Sequence, residues 1–109
     1  MNLRLQLLCL LALIISVGDL RAQDEVTKAL ETAYGQASFV RLRGPGVSPD
    51  TKHVTGTNYL DIGWHHDPRT GRLILQSTED NLGKGAAGQA VQSFNLMAGY
   101  TETDGLRSL

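Results

Sequence analysis

The sequence predicts an α/β (α+β) fold, a partial mixed β-sheet carrying two main helices. Three observations point to it. Apolar residues recur at helical spacing over 24–36, three β-rich runs lie between 38 and 78, and a second helical run over 82–98 follows a turn of small residues.

Residues 1–22 stand apart from the rest. Asn2 and Arg4 precede an apolar run from Leu5 to Val17, in the manner of a secretory leader, and Leu20-Arg21-Ala22 offers a cleavage site. The run is shorter than the roughly 20 apolar residues that span a bilayer. A strand covered on both faces has the same pattern. The stretch is therefore read as an apolar leader or a residual strand, and 23–109 as the domain proper.

Over Asp24 to Gln36, Val26, Leu30, Ala33 and Tyr34 fall on one helical face, Asp24 and Glu25 suit the positive N-terminal end, and Gly35 is a natural stop. Ser38 to Arg43 alternates apolar and polar residues as a half-buried strand does. Gly44 to Asp50 is a loop by composition. His53 to Trp64 is β-rich, with Gly56 and Gly63 marking bulges or close contacts. His65 to Arg72 reads as a hairpin turn bent at Pro68 and Gly71, and Leu73 to Thr78 as the returning strand. The last helix carries Leu82, Ala86, Ala90, Phe94 and Met97 on one face and ends at Gly99. Tyr100 to Leu109 is expected to be a loosely held polar tail.

With 109 residues, 41% of them hydrophobic and 19% charged, the chain has the makings of one small core. A net charge of -1 without any basic run argues against a nucleic-acid surface. The single cysteine, Cys9, excludes an internal disulfide and a multi-cysteine metal site. It lies between leucines, with no cation or base to lower its pKa, which is a poor setting for a nucleophile.

Gly83-Lys84-Gly85-Ala86-Ala87-Gly88 satisfies the Gly-x-Gly-x-x-Gly pattern between a β-like run and a helix. A dinucleotide-binding unit requires a second parallel strand after that helix, and no β-rich run follows. Close helix packing is the simpler account of the glycines, and it is compatible with a ligand contact at the bend. Asp80 and Asn81 stand where a helix wants a side-chain acceptor for its first N–H groups. Free N–H groups beyond them would suit an anion or a polar amide. His65 and His66 are adjacent and would point to opposite faces of a strand, so one metal ion would not bind both. An exposed turn is the expected setting for them. His53 is either a substrate contact or a surface residue.

Three blocks then agree in order and spacing: Lys52-His53-Val54-x-Gly56-Thr57-Asn58-Tyr59-x-Asp61-Ile62-Gly63; Asp67-x-Arg69-Thr70-Gly71-Arg72-Leu73-Ile74; and Asp80-Asn81-Leu82-x-Lys84-Gly85-Ala86-Ala87-Gly88-Gln89-Ala90-Val91-Gln92-x-x-Asn95-Leu96-Met97. Together with Gly99-x-x-Glu102-x-x-Gly105-Leu106 they resemble the C-terminal end of the N-acetyl-γ-glutamyl-phosphate reductases, NADP-dependent enzymes of arginine biosynthesis in the semialdehyde dehydrogenase superfamily. The resemblance implies part of a glyceraldehyde-3-phosphate-dehydrogenase-like C-terminal domain, which is both catalytic and dimerising. By position it places Asn81 against the nicotinamide carboxamide of NADP, with Gly85 and Ala86 facing the cofactor through their backbone. It assigns His53, Gly56 and Asn58 to the substrate half, beside N-acetyl-glutamyl phosphate.

The family's cysteine nucleophile, its histidine acid/base and its dinucleotide domain all precede the stretch represented here. A cysteine common in the second half of the first block is Leu60 in this chain. The resemblance therefore implies a C-terminal piece of the reductase with no catalytic residue and no metal ligand of its own, inactive alone. It also implies a homo-oligomer or a complementing chain, no nucleic-acid partner, no stable membrane span, and a cytoplasmic setting. The alternative is a secreted, non-catalytic interaction module derived from the same domain, which residues 1–22 would support.

Overall fold

A computed structural model describes residues 20–107. Helix α1 occupies 20–34, so it takes in residues 20–22 of the stretch read as leader or residual strand; residues 1–19 lie outside the described residues. Three strands follow: β1 (Val40–Pro45), β2 (Leu60–Asp67) and β3 (Arg72–Glu79). They form one mixed sheet in the order β1-β2-β3, with β1 parallel to β2 and β2 antiparallel to β3. A π-turn, Gly83–Ala87, leads into helix α2 (Gly88–Ala98), which ends on Gly99 in the left-handed conformation that glycine adopts without strain.

The core is small and sits against the central strand: Phe39, Val54, Ile62 and Trp64 are its buried apolar residues. Trp64 Nε1 donates to Thr27 Oγ1 at 3.2 Å, which ties α1 to the sheet and satisfies the buried indole. The β1–β2 connection, 46–59, lies over the sheet. At Gly63 its backbone comes so close that a Cβ would collide with the Val47 carbonyl.

An ion pair with a buried carboxylate sits under that connection. Arg41, Asp61 and Thr78 are facing residues across the three strands and so share one face of the sheet. Asp61 is 0% exposed; its Oδ1 accepts from Arg41 Nε at 2.6 Å, and Arg43 Nε lies 3.9 Å from Oδ2. The Arg41 guanidinium also donates to the His53 carbonyl at 2.9 Å and stacks 4.6 Å from the Tyr59 ring centroid.

Three expectations need correcting. The stretch 53–64, expected to be β-rich though not a uniform strand, is extended only from Leu60, where β2 starts; Thr51–His53 is a 3-10 turn. Gly56, at φ 72, and the Thr57 hydroxyl bonded back to the Val54 carbonyl fold the chain before it can extend. The hairpin turn is also tighter than expected. His65 and His66 belong to β2, and only residues 68–71 turn. Asp67 holds that turn by accepting from Arg69 N and Thr70 Oγ1. Gly35 directly follows the last residue of α1, as expected of a stop, although its φ is not positive. Finally, the described part of the tail is tethered: buried Asn95 donates to the carbonyls of Glu102 (3.2 Å) and Asp104 (2.9 Å).

Helix α2 is oriented against the usual rule. Gly88, Gln92 and Asn95, spaced along one polar face, are turned inward. Its apolar face is bare, with Val91, Phe94 and Met97 exposed, Met97 at 81%. The sheet edge is bare as well: Leu73, Ile74 and Leu75 of β3 are all exposed.

Candidate functional site

The bend between β3 and α2 is organised by Asp80. Its Oδ1 accepts from the backbone N–H groups of Leu82 (2.7 Å) and Gly83 (2.9 Å), and its Oδ2 accepts from Gly56 N at 2.7 Å. One carboxylate thus caps the bend and fastens it to the 54–57 turn. These three donations favour the charged form and hold Asp80 below the usual carboxylate range, Gly56 contributing most.

Within the bend, Gly85 N donates to the Asp80 carbonyl (2.9 Å) and Ala87 N to the Leu82 carbonyl (3.2 Å), the i to i−5 pattern of a π-turn. The glycines of the Gly-x-Gly-x-x-Gly pattern serve packing. A Cβ on Gly83 would collide with the Thr57 carbonyl, and one on Gly88 with Asn58 Oδ1. Gly85 is tight as well: an added Cβ would lie 3.2 Å from the Asp80 carbonyl, 3.4 Å from Glu79 Oε1 and 3.6 Å from Asn81 Oδ1.

This changes the chemistry expected of the bend. The N–H groups of Leu82, Gly83, Gly85 and Ala87 are already used, and a carboxylate occupies the place where an anion would sit. An anion is therefore disfavoured, and the Asn81 side chain is the polar group left over: it is exposed and makes no hydrogen bond among the described residues. Ala86 is exposed too, and Asn81 Oδ1 lies 3.6 Å from where a Cβ on Gly85 would stand. An exposed primary amide beside a surface of glycine and alanine backbone fits a flat ligand carrying its own amide.

Of the other sequence-predicted residues, Gly56 joins the bend directly through its N–H to Asp80. His53 is exposed in the 3-10 turn, and its carbonyl receives Arg41. Asn58 is 4% exposed and faces inward; its Nδ2 donates to Gln92 Oε1 at 3.0 Å, while its buried Oδ1 abuts Gly88 without a hydrogen-bond partner. It supports the bend from beneath. Gln92 Oε1 also accepts from Lys84 Nζ (2.7 Å), and Gln92 Nε2 donates to Glu102 Oε1 (2.7 Å). Neither this Asn58–Gln92–Glu102 chain nor the Arg41–Asp61 pair was picked out from the sequence. A signal for the pair existed in Asp61, an acid set within an otherwise apolar β-rich run. The link from Asn58 to Gln92 spans 34 residues and left no local pattern.

A cavity of about 310 Å³ lies near the starts of β1 and β2, lined by Ser38, Phe39, Tyr59, Thr103 and Arg107. Among the described residues no group of three or more His, Cys, Asp or Glu is placed to hold a metal ion, and no helix is long and apolar enough to cross a membrane.

A three-stranded mixed sheet with two helices is an α+β architecture in class. The model of one family, described as the semialdehyde dehydrogenase dimerisation domain, matches residues 10–81, and the chain belongs to that family. It is similar to proteins named N-acetyl-gamma-glutamyl-phosphate reductase. The one from Akkermansia muciniphila is 60% identical over 83 residues, covering 76% of this chain and 24% of the relative. The one from Shouchella clausii is 56% identical over 88 residues, 81% of this chain and 26% of the relative. The one from Geobacillus thermodenitrificans is 60% identical over 83 residues, 76% and 24%. The chain thus spans about a quarter of the length of the curated relatives it matches.

Proposed function

We propose that this chain supplies the C-terminal, cofactor-facing part of an NADP-dependent N-acetyl-γ-glutamyl-phosphate reductase. The observation that carries the reading is the free Asn81 amide on a bend whose Leu82, Gly83, Gly85 and Ala87 N–H groups already have acceptors. Asn81 would bind the carboxamide of the nicotinamide, while Gly85 and Ala86 let the ring approach because neither carries a bulky side chain. The cofactor, when bound, supplies hydride chemistry. The protein's part is to orient it. Asp80 fixes the bend, Gly56 ties it to the substrate half, Asn58 and Gln92 hold the helix behind it, and His53 is offered to substrate from the adjoining turn. The bare apolar face of α2 packs on the cofactor-binding domain of the complete enzyme.

The acyl-transfer step of such a reductase needs an activated thiolate. The only cysteine of this chain is Cys9, set among leucines. The purified chain is therefore expected to show no turnover of N-acetyl-glutamate semialdehyde with phosphate and NADP⁺. Grafted in place of the matching quarter of the Akkermansia muciniphila relative, it should restore that activity. A folded, NADP-binding graft without turnover, or an active isolated chain, would overturn the reading.

A further inference from the structure

We propose that Glu102 is a positioning residue for the bend, acting through the side-chain amide of Gln92 on Asn58 and Lys84. Its bearing on the cofactor rests on the reading of the bend as cofactor-facing; the polarity of the relay does not.

Two charges fix that polarity. An ammonium can only donate and a carboxylate can only accept. Lys84 Nζ donates to Gln92 Oε1 at 2.7 Å, and Glu102 Oε1 accepts from Gln92 Nε2 at 2.7 Å. Gln92 stands between the two, so its amide has one allowed orientation. The order then passes to Asn58. Because Gln92 Oε1 can only accept, Asn58 must turn Nδ2 toward it, at 3.0 Å. That leaves Asn58 Oδ1 facing Gly88 with no hydrogen-bond partner among the described residues. A buried acceptor without a donor is destabilising. The reverse orientation is worse, since it would set two amide oxygens against each other. The orphaned oxygen is sealed inside this chain, out of reach of any other part of a longer protein. Its orientation is imposed from Lys84 and Glu102.

The relay spans the parts that place the bend. Lys84 belongs to the π-turn, Gln92 to α2 and Asn58 to the β1–β2 connection. Glu102 is itself held: its Oε2 accepts from Ser38 Oγ at 3.3 Å, and its carbonyl accepts from Asn95 Nδ2 at 3.2 Å. Without its carboxylate, Gln92 Nε2 loses its acceptor, the amide is free to turn, and its grips on Asn58 and Lys84 loosen together.

Hydrogen exchange followed by nuclear magnetic resonance on the full chain tests the relay. In Glu102→Ala, exchange of the Asn58 side-chain amide and of the Gly85 and Ala87 backbone N–H groups should speed about fivefold, the equivalent of one lost hydrogen bond. Glu102→Gln, whose amide oxygen can still accept from Gln92, should keep exchange slow. Ser38→Ala, which removes the other contact of the carboxylate, should keep it slow as well. In a Gln92→Met background Glu102→Ala should add nothing. In the active graft, Glu102→Ala should raise KM for NADPH about fivefold with kcat little changed. Unchanged exchange in Glu102→Ala, an equal rise in Ser38→Ala, or a rise that persists on Gln92→Met would overturn the proposal. Faster exchange with unaltered NADPH kinetics would keep the relay and overturn the cofactor reading of the bend instead.

Discussion

The carboxylate of Asp80 reaches across 24 residues of sequence to accept the Gly56 N–H at 2.7 Å, while its other oxygen caps the first N–H groups of the bend. This one side chain couples the two loops proposed to face cofactor and substrate. Because the folded-state pKa is lowered by those donors, the stabilisation is present above the ordinary carboxylate pKa and is lost as pH falls through the lower folded value. The melting temperature of the chain should therefore drop on acidification below about pH 4. In Asp80→Asn, which cannot carry the charge, the melting temperature should be lower at pH 7 and this part of the acid dependence should be missing.

Gly88→Ala sets two effects against each other. Alanine is favoured over glycine inside a helix by about 1 kcal/mol. Here the new methyl would collide with Asn58 Oδ1 and lie 2.7 Å from the Gly83 carbonyl, both fixed atoms. Overpacking of this kind costs about 1–3 kcal/mol, so denaturant titration should show a net loss. A more stable variant would mean that the bend and α2 are not packed as described.

The Arg41–Asp61 pair should respond asymmetrically. Arg41→Met leaves a fully buried carboxylate with only Arg43 3.9 Å away, whereas Asp61→Asn leaves a guanidinium whose side chain is 36% exposed and can rehydrate. Breaking a buried pair costs about 3–5 kcal/mol, and the upper part of that range does not apply to a half-exposed partner. Urea titration should therefore find Arg41→Met the more damaging of the two, at about 3 kcal/mol. Equal losses would place Asp61 in contact with water.

Trp64→Phe removes the donation to Thr27 Oγ1 while keeping most of the ring's apolar contact. A loss of about 1 kcal/mol is expected. Hydrogen exchange should rise selectively in α1, because that bond is its polar tie to the sheet; unchanged exchange there would contradict the docking.

The parts of this fold that were legible in the sequence are those written in local patterns. Helical spacing marked most of α1, alternation marked β1, and Pro68 with Gly71 marked the hairpin bend. Asp80 was recognisable as a cap, and Gly99 as a helix stop. What stayed hidden depends on partners far along the chain. Nothing near Asp80 announces that its second oxygen serves Gly56, or near Asn58 that it turns inward to Gln92. The inward face of α2 was not legible in the sequence for a physical reason. Periodicity identifies an apolar face, and here the polar face, Gly88-Gln92-Asn95, is the one held inward by hydrogen bonds. The free donors expected at the bend were spent because a carboxylate already stood among them.

The most direct test of the account is the kinetics of Asn81→Ala in the active graft. Loss of one amide contact to the cofactor should raise KM for NADPH about tenfold, equivalent to about 1.4 kcal/mol, with KM for N-acetyl-glutamyl phosphate unchanged. Unaltered NADPH kinetics, or a change confined to the acyl phosphate, would contradict the assignment of this bend to the cofactor.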